Sequence, residues 1–173
     1  GLIELRVTDD EQVTVDMGAP ILAPAQIPFV ADAQAITDPI QFEGGSADIS
    51  AVSMGNPHAV VVVDDVSSAP VETWGPVLER HARFPAKVNV GFMQVLSRNE
   101  VNLRVFERGV GETLACGTGA CGAVVAGRLR GLLDARVKVN LPGGSLHIEW
   151  HGDGQPVLMT GPAVTVFHGQ IKL

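Results

Sequence analysis

The sequence predicts an α+β fold in which a curved, barrel-like, mostly antiparallel sheet wraps around a central helix. Short runs of alternating or β-branched apolar residues recur along the chain and are separated by turns rich in Gly and Pro, which is typical of strands. The stretch after Cys116 differs, because its apolar residues recur at helical spacing up to about residue 133. Ala, Gly and Val dominate its first turns, so this helix is slim enough for strands to enclose it.

The composition favours a folded enzyme-sized domain and argues against several classes of partner. The 173 residues suffice for one domain or slightly more, and 46% hydrophobic with 18% charged residues indicates a real core. A net charge of −7 with 5% aromatic residues argues against nucleic-acid binding. The longest apolar runs fall short of the roughly 18 residues of a membrane span, so no membrane partner is expected. Two cysteines without a disulfide pattern predict a reducing, cytoplasmic location.

The first 50 residues are only partly interpretable. In residues 1–17, apolar and polar residues alternate on either side of a polar turn, which predicts a hairpin. A chain that begins inside a strand is expected to be a fragment or a processed product. Three prolines in residues 18–28 predict a linker, and residues 29–50 show too little pattern for a prediction.

The rest of the chain alternates between strands and helices. A valine-rich strand at 59–63 is predicted to be buried on both faces. A helix is predicted at about 70–82, and the Cys116 stretch gives the second helix. The remaining predicted strands are 88–96, 102–107, 137–141, 145–150, 156–160, 163–167 and 171–173.

Cys116 is the main catalytic candidate. It lies in a Gly-rich loop just before the predicted helix, where free N–H groups and the helix dipole favour negative charge. This position predicts a lowered thiol pKa, and the N–H groups at the start of the helix can bind a carboxylate or a phosphate. The alternative is that Cys116 is a small buried apolar residue, as most free cysteines are.

Further polar candidates lie at the ends of predicted strands. His58 and Asn56 flank a proline, and His58 is interpreted either as a base for a thiol or as a hydrogen-bonded structural residue. Asn89 begins a strand and is either a ligand-binding or a turn residue. Glu107 and Arg108 follow a strand, where they form either a binding pair or a solvated salt bridge.

The other residues and motifs of the sequence do not indicate a metal or cofactor site. Glu112 and Thr113 are expected to make capping contacts in the loop, and Cys121 is expected to pack in the helix. Neither zinc-site spacing nor a dinucleotide- or phosphate-binding glycine loop is present, and no lysine lies in a Gly-rich context. A site without metal or cofactor that removes a proton next to a carboxylate fits the residues that remain.

Four motifs, in this order, resemble diaminopimelate epimerases. They read Ser53-Met54-Gly55-Asn56-Pro57-His58; Phe84-Pro85-x-x-Val88-Asn89-Val90-Gly91-Phe92; Arg104-Val105-Phe106-Glu107-Arg108-Gly109-x-Gly111-Glu112-Thr113-x-Ala115-Cys116-Gly117-Thr118-Gly119; and Leu141-Pro142-Gly143-Gly144. The resemblance extends over the whole chain. It implies a pyridoxal-independent enzyme that interconverts LL- and meso-diaminopimelate in the cytoplasm, on the way to lysine and peptidoglycan.

The resemblance also implies roles for the candidate residues. In such enzymes two cysteines face each other across the α-carbon of the substrate, and Cys116 matches one of them. Gly117 and Thr118 would bind the α-carboxylate. The distal end of the substrate would be read by Asn56, Asn89, Glu107 and Arg108. His58 and Glu107 would adjust the thiols.

This chain resembles only the C-terminal portion of the two-domain fold. The other catalytic cysteine belongs to the missing N-terminal domain, and Cys121 cannot replace it because it lies within the same helix. The expected division is 1–17 as a hairpin of the missing domain's sheet, 18–162 as the C-terminal domain, and 163–173 as strands returning to the missing domain. The chain alone is expected to be inactive, and the intact enzyme to be a homodimer.

Two alternatives remain. One is another cofactor-free racemase of the same fold, acting for example on proline or hydroxyproline. The other is a non-catalytic domain that binds a diacid or a partner chain.

Overall fold

The computed structural model describes residues 5–9 and 12–172. The predicted first strand and its turn therefore lie partly outside the described residues, as does the last predicted strand residue. The elements in chain order are β1 (Leu5–Val7), β2 (Gln12–Asp16), β3 (Asp38–Phe42), β4 (Gly45–Ser53), β5 (Pro57–Val62), α1 (Val71–Glu79), β6 (Asn89–Ser97), β7 (Glu100–Glu107), β8 (Gly111–Thr113), α2 (Gly117–Leu129), β9 (Arg136–Leu141), β10 (Gly144–Glu149) and β11 (Leu158–Pro162).

All strands of the described residues join one mixed sheet. Its order is β1-β2-β11-β10-β9-β7-β6-β5-β4-β3, with β8 paired to β7 beside this path. The β5–β6 and β7–β9 pairs are parallel, and the other pairs in the described part of the chain are antiparallel. The prediction of an α+β, mostly antiparallel fold is thus confirmed. The sheet is open rather than a closed barrel, because its end strands β1 and β3 do not pair with each other.

Helix α2 lies inside the curve of this sheet. It contacts β4 and β5 toward one end of the strand order and β10 and β11 toward the other, so the sheet bends around it. Every residue from 119 to 127 is buried, and small side chains let the strands approach the helix from several directions. The predicted central helix is confirmed. In the described residues, neither α1 nor α2 has the length and apolarity that crossing a bilayer requires.

The N-terminal half contains a hairpin that the sequence did not predict. Strands β3 and β4 pair antiparallel mainly within the weakly patterned region 29–50, and β4 continues to Ser53. The predicted hairpin of β1 and β2 is also present, and β2 pairs with β11. Residues 163–172, which were expected to form short strands, have no regular secondary structure in this chain and are exposed.

Helix α1 packs tightly against the strand that leads to the candidate site. Val71 and Leu78 are buried in a cluster with Phe84 and other apolar residues of β4, β5 and β6. On the same face of the helix, a Cβ added at Gly75 would lie 2.6 Å from the ring of Phe106 on β7. A glycine is therefore needed at this position for the helix to approach β7.

We predict that Gly75→Ala destabilises the chain. In an unconstrained helix the same change stabilises by up to about 1 kcal/mol, whereas overpacking costs about 1–3 kcal/mol. Urea unfolding followed by circular dichroism should show a lower free energy of unfolding. A more stable variant would show that α1 does not press on Phe106.

Candidate active site

Cys116 lies at the entrance to helix α2. It is the residue that precedes the first helical turn, it has an extended backbone, and its carbonyl accepts the N–H of Ala120 at 2.9 Å. Its side chain is only 6% exposed. A Cβ added at Gly119 would lie 3.1 Å from the Cys116 sulfur, so a glycine in the first turn leaves room for the thiol. Thr118, expected at the helix start, is the second helical residue.

Opposing effects act on the Cys116 thiol. Burial raises its pKa, and the nearby carboxylate of Glu107 adds to this increase both by charge and by accepting a hydrogen bond from the thiol. The Thr118 hydroxyl, 3.7 Å from the sulfur, and the Gly119 N–H act in the opposite direction. The predicted lowering of the pKa is wrong for this chain, because removal from water outweighs the donors of the helix end. Cys121 is fully buried, and its pKa is raised to about 12.

A hydrogen-bonded row of side chains connects His58 to Cys116. The Nδ2 of Asn56 donates to the hydroxyl of Thr118 at 3.3 Å, which turns the Oδ1 of Asn56 toward the Nε2 of His58 at 3.1 Å. The Nε2 of His58 therefore carries the proton and donates to Asn56. Because Thr118 accepts from Asn56, its own hydroxyl proton is free to point at the sulfur.

His58 is held neutral inside the domain. It is 1% exposed, and burial together with the charge of Arg108 lowers its pKa to about 4. A Cβ added at Gly122 of α2 would lie 3.3 Å from the His58 side chain, so the ring packs directly on the helix. The geometry matches the hydrogen-bonded interpretation of His58, with Asn56 and Thr118 lying between the ring and Cys116.

Asn89 and Arg108 meet at the turn between β7 and β8. The buried Oδ1 of Asn89 accepts the backbone N–H of Arg108 at 2.8 Å, and Asn89 lies beside His58 in the parallel β5–β6 pair. The guanidinium of Arg108 donates to the carbonyl of Ala86 at 2.9 Å. The Glu107–Arg108 pair is therefore not a simple salt bridge, because the Arg108 guanidinium bonds a carbonyl and Glu107 faces the thiol.

Thr113 was expected to make a capping contact in the loop, but it bonds the side chain of a candidate site residue. Its hydroxyl donates to the Oε1 of Glu107 at 2.6 Å and so orients the carboxylate that contacts Cys116. The pairing of β7 with β8 places Glu107 opposite Gly111, which brings Thr113 back over the strand end. The alternating polar and apolar residues of β7, followed by a glycine-containing turn, could have indicated that the chain returns along β7 as a second strand. Glu112 instead forms a two-point ion pair with Arg104, at 2.6 and 2.8 Å.

The structure brings the predicted site residues into one region. Cys116, Thr118, Asn56 and His58 form the hydrogen-bonded row, and Glu107 contacts the same thiol. The remaining members sit on adjoining positions: Asn89, Arg108 and Gly117. Within residues 5–9 and 12–172, no three His, Cys, Asp or Glu side chains are grouped as metal ligands would be.

Comparison with known proteins decides the family. The family model for diaminopimelate epimerase matches residues 50–166, which is more than half of the chain and contains every candidate residue. This chain belongs to the diaminopimelate epimerase family. The resemblance inferred from the four motifs is thereby confirmed.

Curated members of the diaminopimelate epimerase family match over all 173 residues. The proteins named diaminopimelate epimerase from Teredinibacter turnerae and Alkalilimnicola ehrlichii are 64% and 62% identical to it. A protein of the same name from Pseudomonas aeruginosa is 59% identical. This chain covers 63%, 62% and 63% of these relatives, respectively, and therefore spans less than two thirds of their length.

Solved structures with low sequence identity share the fold. A probable proline racemase from Agrobacterium radiobacter superposes with a TM-score of 0.66 at 17% identity, covering 100% of this chain and 58% of that one. A hydroxyproline epimerase from Agrobacterium vitis gives a TM-score of 0.59 at 18% identity, covering 94% and 54%. At such identities the likeness concerns the fold alone.

We predict that buried His58 makes stability fall with acidity. Because the folded pKa lies below the ordinary value of 6.5, the unfolded chain takes up the proton first. The stabilisation of the folded chain by a neutral His58 is fully present above pH 6.5 and is lost as the pH falls toward 4. Between pH 7 and 4, the wild type should lose on the order of 3 kcal/mol more free energy of unfolding than His58→Gln. Parallel curves for both proteins in urea titrations would contradict a buried, neutral His58.

We also predict that Glu107→Gln makes Cys116 more reactive. Removal of the carboxylate removes an influence that raises the thiol pKa, so more thiolate is present at pH 8. Alkylation by iodoacetamide, read by peptide mass spectrometry, should be several-fold faster at Cys116, and slower at Cys121 in both proteins. The matched control is Glu112→Gln in the same loop, which should leave the rate unchanged. Equal rates for Glu107→Gln and wild type would show that Glu107 does not act on the thiol.

Proposed function

We propose that this chain provides one acid/base thiol and much of the substrate pocket of an enzyme that epimerises LL- to meso-diaminopimelate without pyridoxal phosphate. Membership of the diaminopimelate epimerase family supports the substrate and the reaction. The observation that carries the mechanism is the position of Cys116, between the carboxylate of Glu107 and the donors of the α2 N-terminus.

The proposed reaction removes a proton from one face of the α-carbon and adds a different proton to the opposite face. A thiolate on one face removes the α-proton and becomes a thiol, and the electron pair remains on the α-carbon. A thiol on the opposite face then gives its proton to that carbon and becomes a thiolate, which inverts the centre. Cys116 is one of these groups, and the other belongs to a part of the enzyme outside this chain.

The surroundings of Cys116 suit both protonation states. Burial and Glu107 favour the thiol, which is the proton donor. The Thr118 hydroxyl and the Gly119 N–H stabilise the thiolate that remains after donation.

The substrate is held at both ends in this proposal. The half-exposed N–H groups of Gly117 and Thr118 at the start of α2 bind the α-carboxylate and the negative charge that builds up beside it. Asn56, Asn89, Glu107 and Arg108 bind the distal amino-acid group. The Oδ1 of Asn89 already bonds Arg108, so its amide N–H₂ is the group that remains for the substrate.

The domain organisation follows from the same proposal. Residues 18–162 form the C-terminal half of a two-domain, barrel-like fold, whereas 1–17 and 163–173 complete the sheet of an N-terminal domain. Exposed apolar side chains in these flanking segments support this division: Leu5, Val7, Val164, Val166, Phe167 and Ile171. The intact enzyme would be a cytoplasmic homodimer, in a compartment that keeps its catalytic thiols reduced.

The test is α-proton exchange in heavy water with diaminopimelate. The part of the Teredinibacter turnerae relative that this chain does not cover is fused to the 173 residues, and the fusion is compared with the chain alone. We expect exchange and epimerisation by the fusion and neither by the chain alone. In the fusion, Cys116→Ala should lower the rate at least about a hundredfold, which is the minimum usual contribution of an acid/base group. The control Cys121→Ala should retain activity.

Different outcomes distinguish the alternatives. Exchange by the chain alone at the rate of the fusion would contradict the two-thiol mechanism. Binding of diaminopimelate without exchange by the fusion would favour a non-catalytic role. Racemisation of proline in place of diaminopimelate would favour the other cofactor-free racemases.

A further inference from the structure

We infer that Glu79 is a positioning residue that holds the substrate-reading turn of Glu107 and Arg108 in place. Glu79 is the last residue of α1, and its side chain is 3% exposed although it is a carboxylate. Burial of a carboxylate is costly unless the group is bonded, so its contacts indicate what it does. The inference rests on the proposed function, because it assigns Arg108 to the substrate.

The main contact of Glu79 is the backbone of the turn. Its Oε1 accepts the N–H of Gly109 at 2.8 Å, one residue after Arg108. The turn is closed by a hydrogen bond from the Val110 N–H to the Glu107 carbonyl at 3.1 Å, and Gly109 has a φ of +76°. Glycine adopts this conformation without strain, which allows the turn to form. Because glycine also adopts other conformations easily, the turn needs a further contact to hold it in place.

Two buried oxygens hold successive N–H groups of this turn. The Oδ1 of Asn89 on β6 takes the N–H of Arg108, and the Oε1 of Glu79 on α1 takes that of Gly109. A peptide segment fixed at two consecutive donors by two different elements cannot rotate freely. The Arg108 side chain therefore starts from a fixed direction toward the substrate.

The packing of α1 makes this anchor rigid. Gly75 and Glu79 are four residues apart and so lie on the same face of the helix. Gly75 allows the helix to touch Phe106, and Glu79 reaches Gly109, so the same helix face follows the chain from the end of β7 into the turn. The carbonyl of Glu79 also accepts the N–H of Val88, which ties the segment before Asn89 to the same helix end.

The charged neighbours of Glu79 are weaker partners. The Nε of Arg80 is 3.3 Å from one carboxylate oxygen and the Nζ of Lys87 is 4.0 Å from the other, but these cations are 71% and 51% exposed. Exposed ion pairs contribute little. An uncharged side chain that still offers an oxygen to Gly109 should therefore replace Glu79 with little loss.

This inference is tested with three variants in the active fusion described above. Glu79→Ala removes the acceptor, Glu79→Gln keeps an oxygen of the same reach, and Leu78→Ala damages the core beside it without touching the turn. Loss of one hydrogen bond to a charged group is expected to raise the KM for diaminopimelate about tenfold in Glu79→Ala, with kcat within about twofold of wild type. Glu79→Gln should restore the KM to within about threefold, and Leu78→Ala should lower stability without raising the KM.

A second readout needs no substrate. In the 173-residue chain, the Gly109 amide should exchange with solvent at least about tenfold faster in Glu79→Ala than in wild type, relative to amides of the β6–β7 pair. Unchanged Gly109 exchange would overturn the anchor. Faster exchange with an unchanged KM, or an equal rise of the KM in Leu78→Ala, would overturn the positioning role. An inactive wild-type fusion would count against the proposed function alone, because the Gly109 exchange would still confirm or overturn the anchor.

Discussion

The close approach of helix α2 to the strands around it is the constraint on which the rest of the structure depends. The sheet bends around this helix, which is possible because residues 119–127 are small or β-branched and completely enclosed. Two of its glycines face functional side chains, since Gly119 accommodates the Cys116 sulfur and Gly122 accommodates the His58 ring. A methyl group at either position would be closer than most real contacts allow. The same packing that forms the core therefore fixes the Cys116 thiol and its hydrogen-bonded row.

Enclosure also determines the electrostatics of the site. A helix N-terminus lowers the pKa of an exposed thiol, but here removal from water prevails and the pKa of Cys116 is raised. The same burial keeps His58 neutral, so it is a directional hydrogen-bond donor rather than a charge. The polar groups that act on the thiol lie close to it, and Glu107 acts both by charge and by a hydrogen bond, so their positions must be accurate. Asn89, Thr113 and Glu79 each make one hydrogen bond that holds a neighbouring group in place, namely the N–H of Arg108, the carboxylate of Glu107 and the N–H of Gly109.

The sequence predicted those parts of the fold and site that depend on local pattern. The slim helix, the valine-rich β5 and the gathering of Cys116, His58 and Glu107 followed from periodicity, motifs and the family resemblance. Strands β3 and β4 were missed because their alternation is weak and they form by pairing, β3 with β4 and β4 with β5. Glu79 was missed because a carboxylate near the end of a helix is normally solvated, and only tertiary packing places it against Gly109. The direction of the Cys116 pKa depended on burial, which the loop sequence does not reveal.

The most direct test of the account compares Gly119→Ala with Gly91→Ala in the 173-residue chain, by urea unfolding and by the pH dependence of Cys116 alkylation. An added Cβ at Gly91 would meet its neighbour at an ordinary 3.5 Å, whereas at Gly119 it would lie 3.1 Å from both the Cys116 sulfur and Val105. We expect Gly119→Ala to lose about 1–3 kcal/mol of stability and to shift the alkylation profile. Gly91→Ala should leave the profile unchanged. If Gly119→Ala had the stability and alkylation profile of the wild type, close packing of α2 would not be what positions Cys116.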